Sequence, residues 1–158
     1  MTLYMQKDKF QWGIPMPLED RSGRTRYTVH SDAYALGKRL HVTDLAGREA
    51  IYIRQVIPSL FPKYEIEVYG RPMASIIKDL RFFHPRYVME PDGWEISGFL
   101  TGSSYELSFC GTILATCRSQ PGEDRLALEF HDCTEELTAL GIILAVNCLL
   151  SPQRPRHS

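Results

Sequence analysis

Leu137-Thr-Ala-Leu-Gly-Ile-Ile-Leu-Ala-Val-Asn-Cys-Leu-Leu150 is the stretch whose environment decides the fold. Its apolar residues do not form one stripe at helical spacing. They cover every face, and a helix that is apolar all round has to be surrounded by the rest of the protein. Asp132, with Glu135 three positions later, is a capping-box pattern that predicts where the helix begins. The run is too short for a bilayer span, so a buried core helix is expected and a transmembrane segment is not.

Upstream, turn signals recur at a fixed spacing. Gly23, Gly47, Gly70 and Gly93 lie 24, 23 and 23 positions apart, and the first two sit in matching turns, Asp20-Arg-Ser-Gly-Arg24 and Asp44-Leu-Ala-Gly-Arg48. Asp can cap the amides of such a turn and Gly accepts positive φ, so each predicts a tight hairpin. Halfway between these glycines lie Leu36-Gly37, Pro58 to Pro62, His84-Pro85 and Thr101-Gly102-Ser103. Each period therefore holds two strands. Between breakers the residues alternate: Tyr64, Ile66 and Val68 against Glu65 and Glu67, Trp94 and Ile96 against Glu95 and Ser97, Tyr105, Leu107 and Phe109 against Glu106 and Ser108. With Leu3 to Phe10 as the first strand and turns at Cys110-Gly111 and Pro121-Gly122, the count reaches twelve.

Twelve strands about 4.8 Å apart and tilted by about 40° close into a barrel of radius about 12 Å. A helix about 10 to 12 Å across fits inside it. The expected fold is mostly β: a twelve-stranded closed antiparallel up-and-down barrel around a buried C-terminal α-helix. A sandwich with an edge helix would leave half of that helix in water.

The 158 residues allow one well-cored domain, taken as 1–150, followed by a mobile basic tail, 151–158. Hydrophobic residues at 44% and charged residues at 23% exclude wholesale disorder and coiled coil. Eighteen Lys and Arg against nineteen Asp and Glu leave no bulk field for nucleic acid, so any contact with a polyanion has to come from a local patch. The charged N-terminus lacks the apolar core of a secretory peptide, and Cys110, Cys117, Cys133 and Cys148 form no disulfide framework. A cytoplasmic protein with reduced thiols is expected, peripheral at the membrane if its ligand is lipid.

Ile53-Arg-Gln-Val-Ile-Pro-Ser-Leu-Phe-Pro-Lys-Tyr-Glu-Ile66, Phe82-Phe-His-Pro-Arg-Tyr87, Gly93-Trp-Glu-Ile-Ser-Gly98 and the closing Leu-rich helix together resemble the LURP-one-related proteins. These are grouped with the tubby C-terminal domains and the phospholipid scramblases. The resemblance covers nearly the whole chain and implies a twelve-stranded barrel around a C-terminal helix. It also brings phosphoinositide binding into view, a property of the tubby branch. No lipid-binding residue of that branch maps onto a particular position here.

The residues carry no catalytic signature. Neither G-x-G-x-x-G nor G-x-x-x-x-G-K-[ST] occurs, and Gly102-Ser103-Ser104 is not a nucleophile elbow. His131, Asp132 and Cys133 form a single dense group of metal-ligand types where zinc needs a second, so a helix cap and a rim filler are expected rather than a metal site. No cofactor is expected. In an up-and-down meander alternate turns share one end, which puts the glycine turns at one rim and the longer loops at the other. The loop rim would gather Lys38, Arg39, Leu60, Phe61, Lys63, Arg81, Phe82, Phe83 and Arg86, with Arg154 and Arg156 emerging beside them if the helix returns through the barrel. Lys38, Arg39, Phe61, Lys63, Arg81, Phe82, Phe83 and Arg86 are therefore the candidate residues for an anionic phospholipid or phosphoinositide. The plainer reading is that Phe82 and Phe83 plug the barrel end and the charges are solvated. The expected function is a non-enzymatic binding module. The alternative is a protein-interaction scaffold whose partner docks on the barrel wall.

Overall fold

The computed structural model describes residues 1–6, 13–34, 37–81, 86–99, 104–119, 122–131 and 134–150. The strands are β1 (Thr2–Gln6), β2 (Met16–Glu19), β3 (Thr25–Tyr34), β4 (Gly37–Thr43), β5 (Glu49–Gln55), β6 (Lys63–Val68), β7 (Arg71–Asp79), β8 (Arg86–Glu90), β9 (Trp94–Phe99), β10 (Ser104–Phe109), β11 (Thr112–Ser119) and β12 (Arg125–Phe130). One helix, α1 (Glu136–Leu150), follows.

All twelve strands belong to one antiparallel sheet in which sequence neighbours pair, apart from β8 and β9. β1 closes the ring on β12, with Thr2 opposite Glu129 and Gln6 opposite Arg125. A fully hydrogen-bonded cylinder would also pair β8 with β9, yet these two strands form the ends of the sheet. At the turn between them the Gly93 carbonyl accepts from Cys110 N at 2.9 Å, extending the pairing of β9 with β10. Met89 and Trp94, one on each edge, are buried all the same, so the barrel is nearly closed.

The two matching turns have the same geometry. Asp20 Oδ1 accepts from the amides of Ser22 and Arg24, and Asp44 Oδ1 from those of Ala46 and Arg48, at 2.9 to 3.1 Å. Gly23 and Gly47 both donate to the carbonyl of their Asp at 3.0 Å with φ near +80°. These bonds to the ionised carboxylate hold both Asp groups below the usual range. For Asp20 the leading cause is the Ser22 hydroxyl and for Asp44 the Arg48 amide.

Strand alternation puts Leu40, Val42, Ile51, Ile53, Ile66, Ile76, Leu107 and Leu128 inside, essentially without exposed area. They surround α1, in which Leu140, Ile142, Ile143, Leu144, Ala145 and Val146 are all at 0% exposure although they point in different directions. The helix packs mainly on β5, β6, β7 and β11. Gly141 permits that approach: a Cβ there would come within 2.6 Å of Ile66 Cγ2 and 3.2 Å of Ile51 Cγ2. Burial pushes the thiol of Cys117 up to about 11 and that of Cys148 up to about 12, so both are inert core groups, whereas Cys110 is exposed. The expected capping residue Asp132, together with Cys133, lies outside the described residues, as does the tail 151–158.

Candidate functional site

The hairpin turns at Gly23, Gly47, Gly70, Gly93 and Gly111 gather at one rim, together with the start of α1. The longer connections and the end of α1 lie at the other. Lys78 on β7 ties that loop rim together. Its amide donates to Pro62 O at 2.9 Å and its Nζ to Leu149 O, in the last turn of α1, at 3.3 Å.

That contact also explains part of the rim's charge. α1 has no basic residue in its last turn, so its carbonyl end lacks the cation that would offset the helix dipole from within. The strands supply it. Lys78 reaches the Leu149 carbonyl, and Lys38, at an inward register position on β4, is near enough to Cys148 for its charge to oppose the burial effect on that thiol. The Lys38 amide is fixed by Gln55 Oε1 at 3.1 Å. Lys38, expected among the ligand contacts, thus lies at the barrel mouth near the end of α1. Lys78 was not singled out in the sequence, because nothing in its local pattern shows that a helix end lies opposite.

Arg81 and Asp79 form a fork. Arg81 Nε is 3.1 and 3.2 Å from the two Asp79 oxygens, Nη2 is 2.7 Å from Oδ2, and the Arg81 amide donates to Oδ1 at 3.0 Å. These bonds, led by the guanidinium, hold the buried Asp79 carboxyl below the usual range, and Arg86 across the β7–β8 ladder adds to the effect. The Arg81 guanidinium is itself largely exposed and lies 5.8 Å from the centroid of the Phe61 ring. Two of the candidate residues are thus brought together across the β5–β6 and β7–β8 connections. Lys63 opens β6 at an outward position opposite Ile77, and Arg86 opens β8 and is exposed. Arg39 faces outward on the wall, opposite Arg54, whose guanidinium is bonded to Glu65. Phe82 and Phe83, and with them the question of a plug, lie outside the described residues, as do Arg154 and Arg156.

The rim also exposes apolar side chains. Leu60, at 88% exposure, stands between Ile57 and Phe61 in the β5–β6 connection, and Leu80 leads out of β7 beside Arg81. Ile57 and Leu80 were not among the expected site residues; an apolar residue next to proline or at a strand end reads equally well as core. Among the described residues no group of three or more His, Cys, Asp or Glu is placed to hold a metal ion, and no helix is long and apolar enough to cross a membrane.

The comparisons with known proteins agree with this architecture. A solved structure of an Arabidopsis thaliana protein superposes with a TM-score of 0.62 over 94% of this chain and 91% of that one, and at 9% identity the likeness is one of fold. The uncharacterized protein YxjI of Bacillus subtilis is 29% identical over 108 residues, which cover 68% of this chain and 67% of that protein. The sequence profile described as LURP-one-related matches residues 1–147, nearly the whole barrel and its helix, and the chain belongs to the LURP-one-related family.

Proposed function

We propose that this protein is a non-enzymatic binding module that docks through its loop rim on an anionic membrane surface, engaging phospholipid or phosphoinositide headgroups. The observation that carries the reading is the exposure of Leu60, Ile57 and Leu80 on two neighbouring loops beside the Arg81–Phe61 pair and Lys63. Apolar side chains held out in water next to cations suit an interface that is apolar below and anionic above.

Magnitudes say what each part contributes. A Lys or Arg near an anionic bilayer contributes about 1 kcal/mol, so the rim charges reach only about millimolar binding, and Asp79 offsets part of the Arg81 charge. Partial burial of three large aliphatic side chains adds about 4 kcal/mol, enough for about micromolar binding. On the wall, the exposed Val88 and Ile113 lie on β8 and β11, which are not neighbours, so a continuous apolar face for a protein partner finds less support. Co-sedimentation with phosphatidylcholine vesicles, alone or carrying phosphatidylserine or a phosphoinositide, tests the reading. Binding should require the anionic lipid, weaken with salt and fall at least tenfold in Leu60→Glu. No binding to any anionic vesicle at low salt would overturn it.

A further inference from the structure

The outer wall carries a second feature that the membrane reading does not use. Between β4, β5 and β6, near the glycine rim, lies a depression of about 360 Å³ lined by His41, Glu49, Tyr52, Glu67, Tyr69 and Gly70. Its walls are aromatic. The His41 and Tyr52 rings lie 4.9 Å apart at 44°, and Tyr69 stands at the opposite end. Two of the three rings are held by carboxylates: His41 Nδ1 is 2.7 Å from Glu49 Oε1 and its Nε2 is 3.7 Å from Asp32 Oδ2, while the Tyr69 hydroxyl donates to Asp44 Oδ2 at 3.2 Å.

Glu67 makes no ion pair among the described residues. Among the neighbouring cations, Arg54 is engaged with Glu65 and Arg48 with Asp44 at 3.8 Å, while Arg71 follows Gly70 at the start of β7 and is exposed. Glu67, with Glu49 already bonded to His41, therefore flanks a concavity built from three aromatic rings, one of which belongs to a residue that the local backbone disfavours. Tyr69 and Gly70 form the two-residue β6–β7 turn, and Tyr69 has φ +46°, a conformation that Asn, Asp or Gly adopts far more readily. The turn would be better served by Asn. A tyrosine there supplies a ring to the depression.

We infer that this depression is a binding site for the guanidinium or alkylammonium group of a basic protein segment. Aromatic faces attract such a cation through their quadrupole, and a carboxylate beside them supplies charge-assisted hydrogen bonds. The site is open on the outer side, which suits a side chain offered by a partner's surface rather than an enclosed free metabolite. It lies on the wall, away from the loop rim, so a partner could be held while that rim faces a membrane.

The test is a nuclear magnetic resonance titration of the full chain with an N-acetylated, C-amidated Gly-Arg-Gly peptide, and separately with tetramethylammonium. The peptide should shift resonances of Tyr52, Glu67, Tyr69 and Gly70 first. Glu67→Gln should weaken it about tenfold, and Tyr69→Asn should weaken it comparably while leaving the melting temperature equal or higher. Glu95→Gln, an acidic wall residue on β9, should leave the affinity unchanged. Equal weakening by Glu95→Gln would reduce the effect to a diffuse acidic field and overturn the inference. Unchanged binding in both site variants, or no shift at Tyr52, Glu67, Tyr69 and Gly70 with either probe, would overturn it as well. Vesicle binding through the loop rim should survive Tyr69→Asn, so the two readings fail separately.

Discussion

Asp79 shows how much one residue's meaning depends on its partners. In the sequence it is an unremarked acid ahead of a basic-aromatic segment, yet in the fold it is a buried carboxylate gripped by the Arg81 fork. Its folded pKa is depressed, chiefly by the Arg81 side chain, so its stabilising contribution is fully present above the unfolded value of about 3.9 and is lost as pH falls through the lower folded value. Asp79→Asn should therefore melt below the wild type at neutral pH, and the gap should close on acidification below about pH 4. Melting curves from neutral pH to strong acid check this, and a gap constant over that range would show that the carboxylate's charge has no part in the pairing.

Among the elements, α1 bears the argument for the fold. With Ile143 at 0% exposure inside a ring of strands, Ile143→Lys should cost several kcal/mol, because the barrel offers no partner for the ammonium. Lys substitutions at Leu140, Ile142, Leu144 and Val146 should be equally severe. A run of tolerated positions along one face in thermal melts would mean a peripheral helix. Gly141 supplies a subtler test. Replacing a mid-helix Gly by Ala ordinarily gains about 1 kcal/mol of helix propensity, but here the new methyl meets Ile66 Cγ2, part of a stiff branched side chain in a packed core. Overpacking costs about 1 to 3 kcal/mol, so Gly141→Ala should be destabilising overall. The penalty should vanish in an Ile66→Ala background, and a double-mutant cycle by denaturant melts reads that coupling directly.

For the whole molecule, the gap in the ladder between β8 and β9 among the described residues is the place to look for motion. β8 and β9 end the sheet order, whereas β1 and β12 are paired along their length. Amides of β8 and β9 that face the seam should exchange with solvent faster than those of β1 and β12, because no ladder bond has to open first. Equal protection in a hydrogen-exchange experiment would show that the seam is bonded in solution. The charges also divide by position. Lys63, Lys78, Arg81 and Arg86 lie at the loop rim, whereas the wall mixes signs, with Arg39 and Arg54 among Glu49, Glu65 and Glu67.

Much of this was legible beforehand, for a physical reason: period-two alternation, the recurring Asp and Gly turns and a helix apolar on every face are local constraints, and together they leave few architectures open. Strand count, turn geometry at Asp20 and Asp44, and complete burial of Ile142, Ile143, Leu144 and Val146 follow from them. The candidate site was legible only in outline. Turn alternation puts Phe61, Lys63, Arg81 and Arg86 at the loop end, but it does not show that Arg39 faces outward on the wall, that Lys78 bonds the end of α1, that Arg81 shares its charge with Asp79, or that Ile57 and Leu80 stay exposed. Nor could it show the unpaired β8–β9 seam or the depression around Tyr69. Each of these depends on which distant groups meet across the barrel, and a long-range contact leaves no period in the sequence that encodes it.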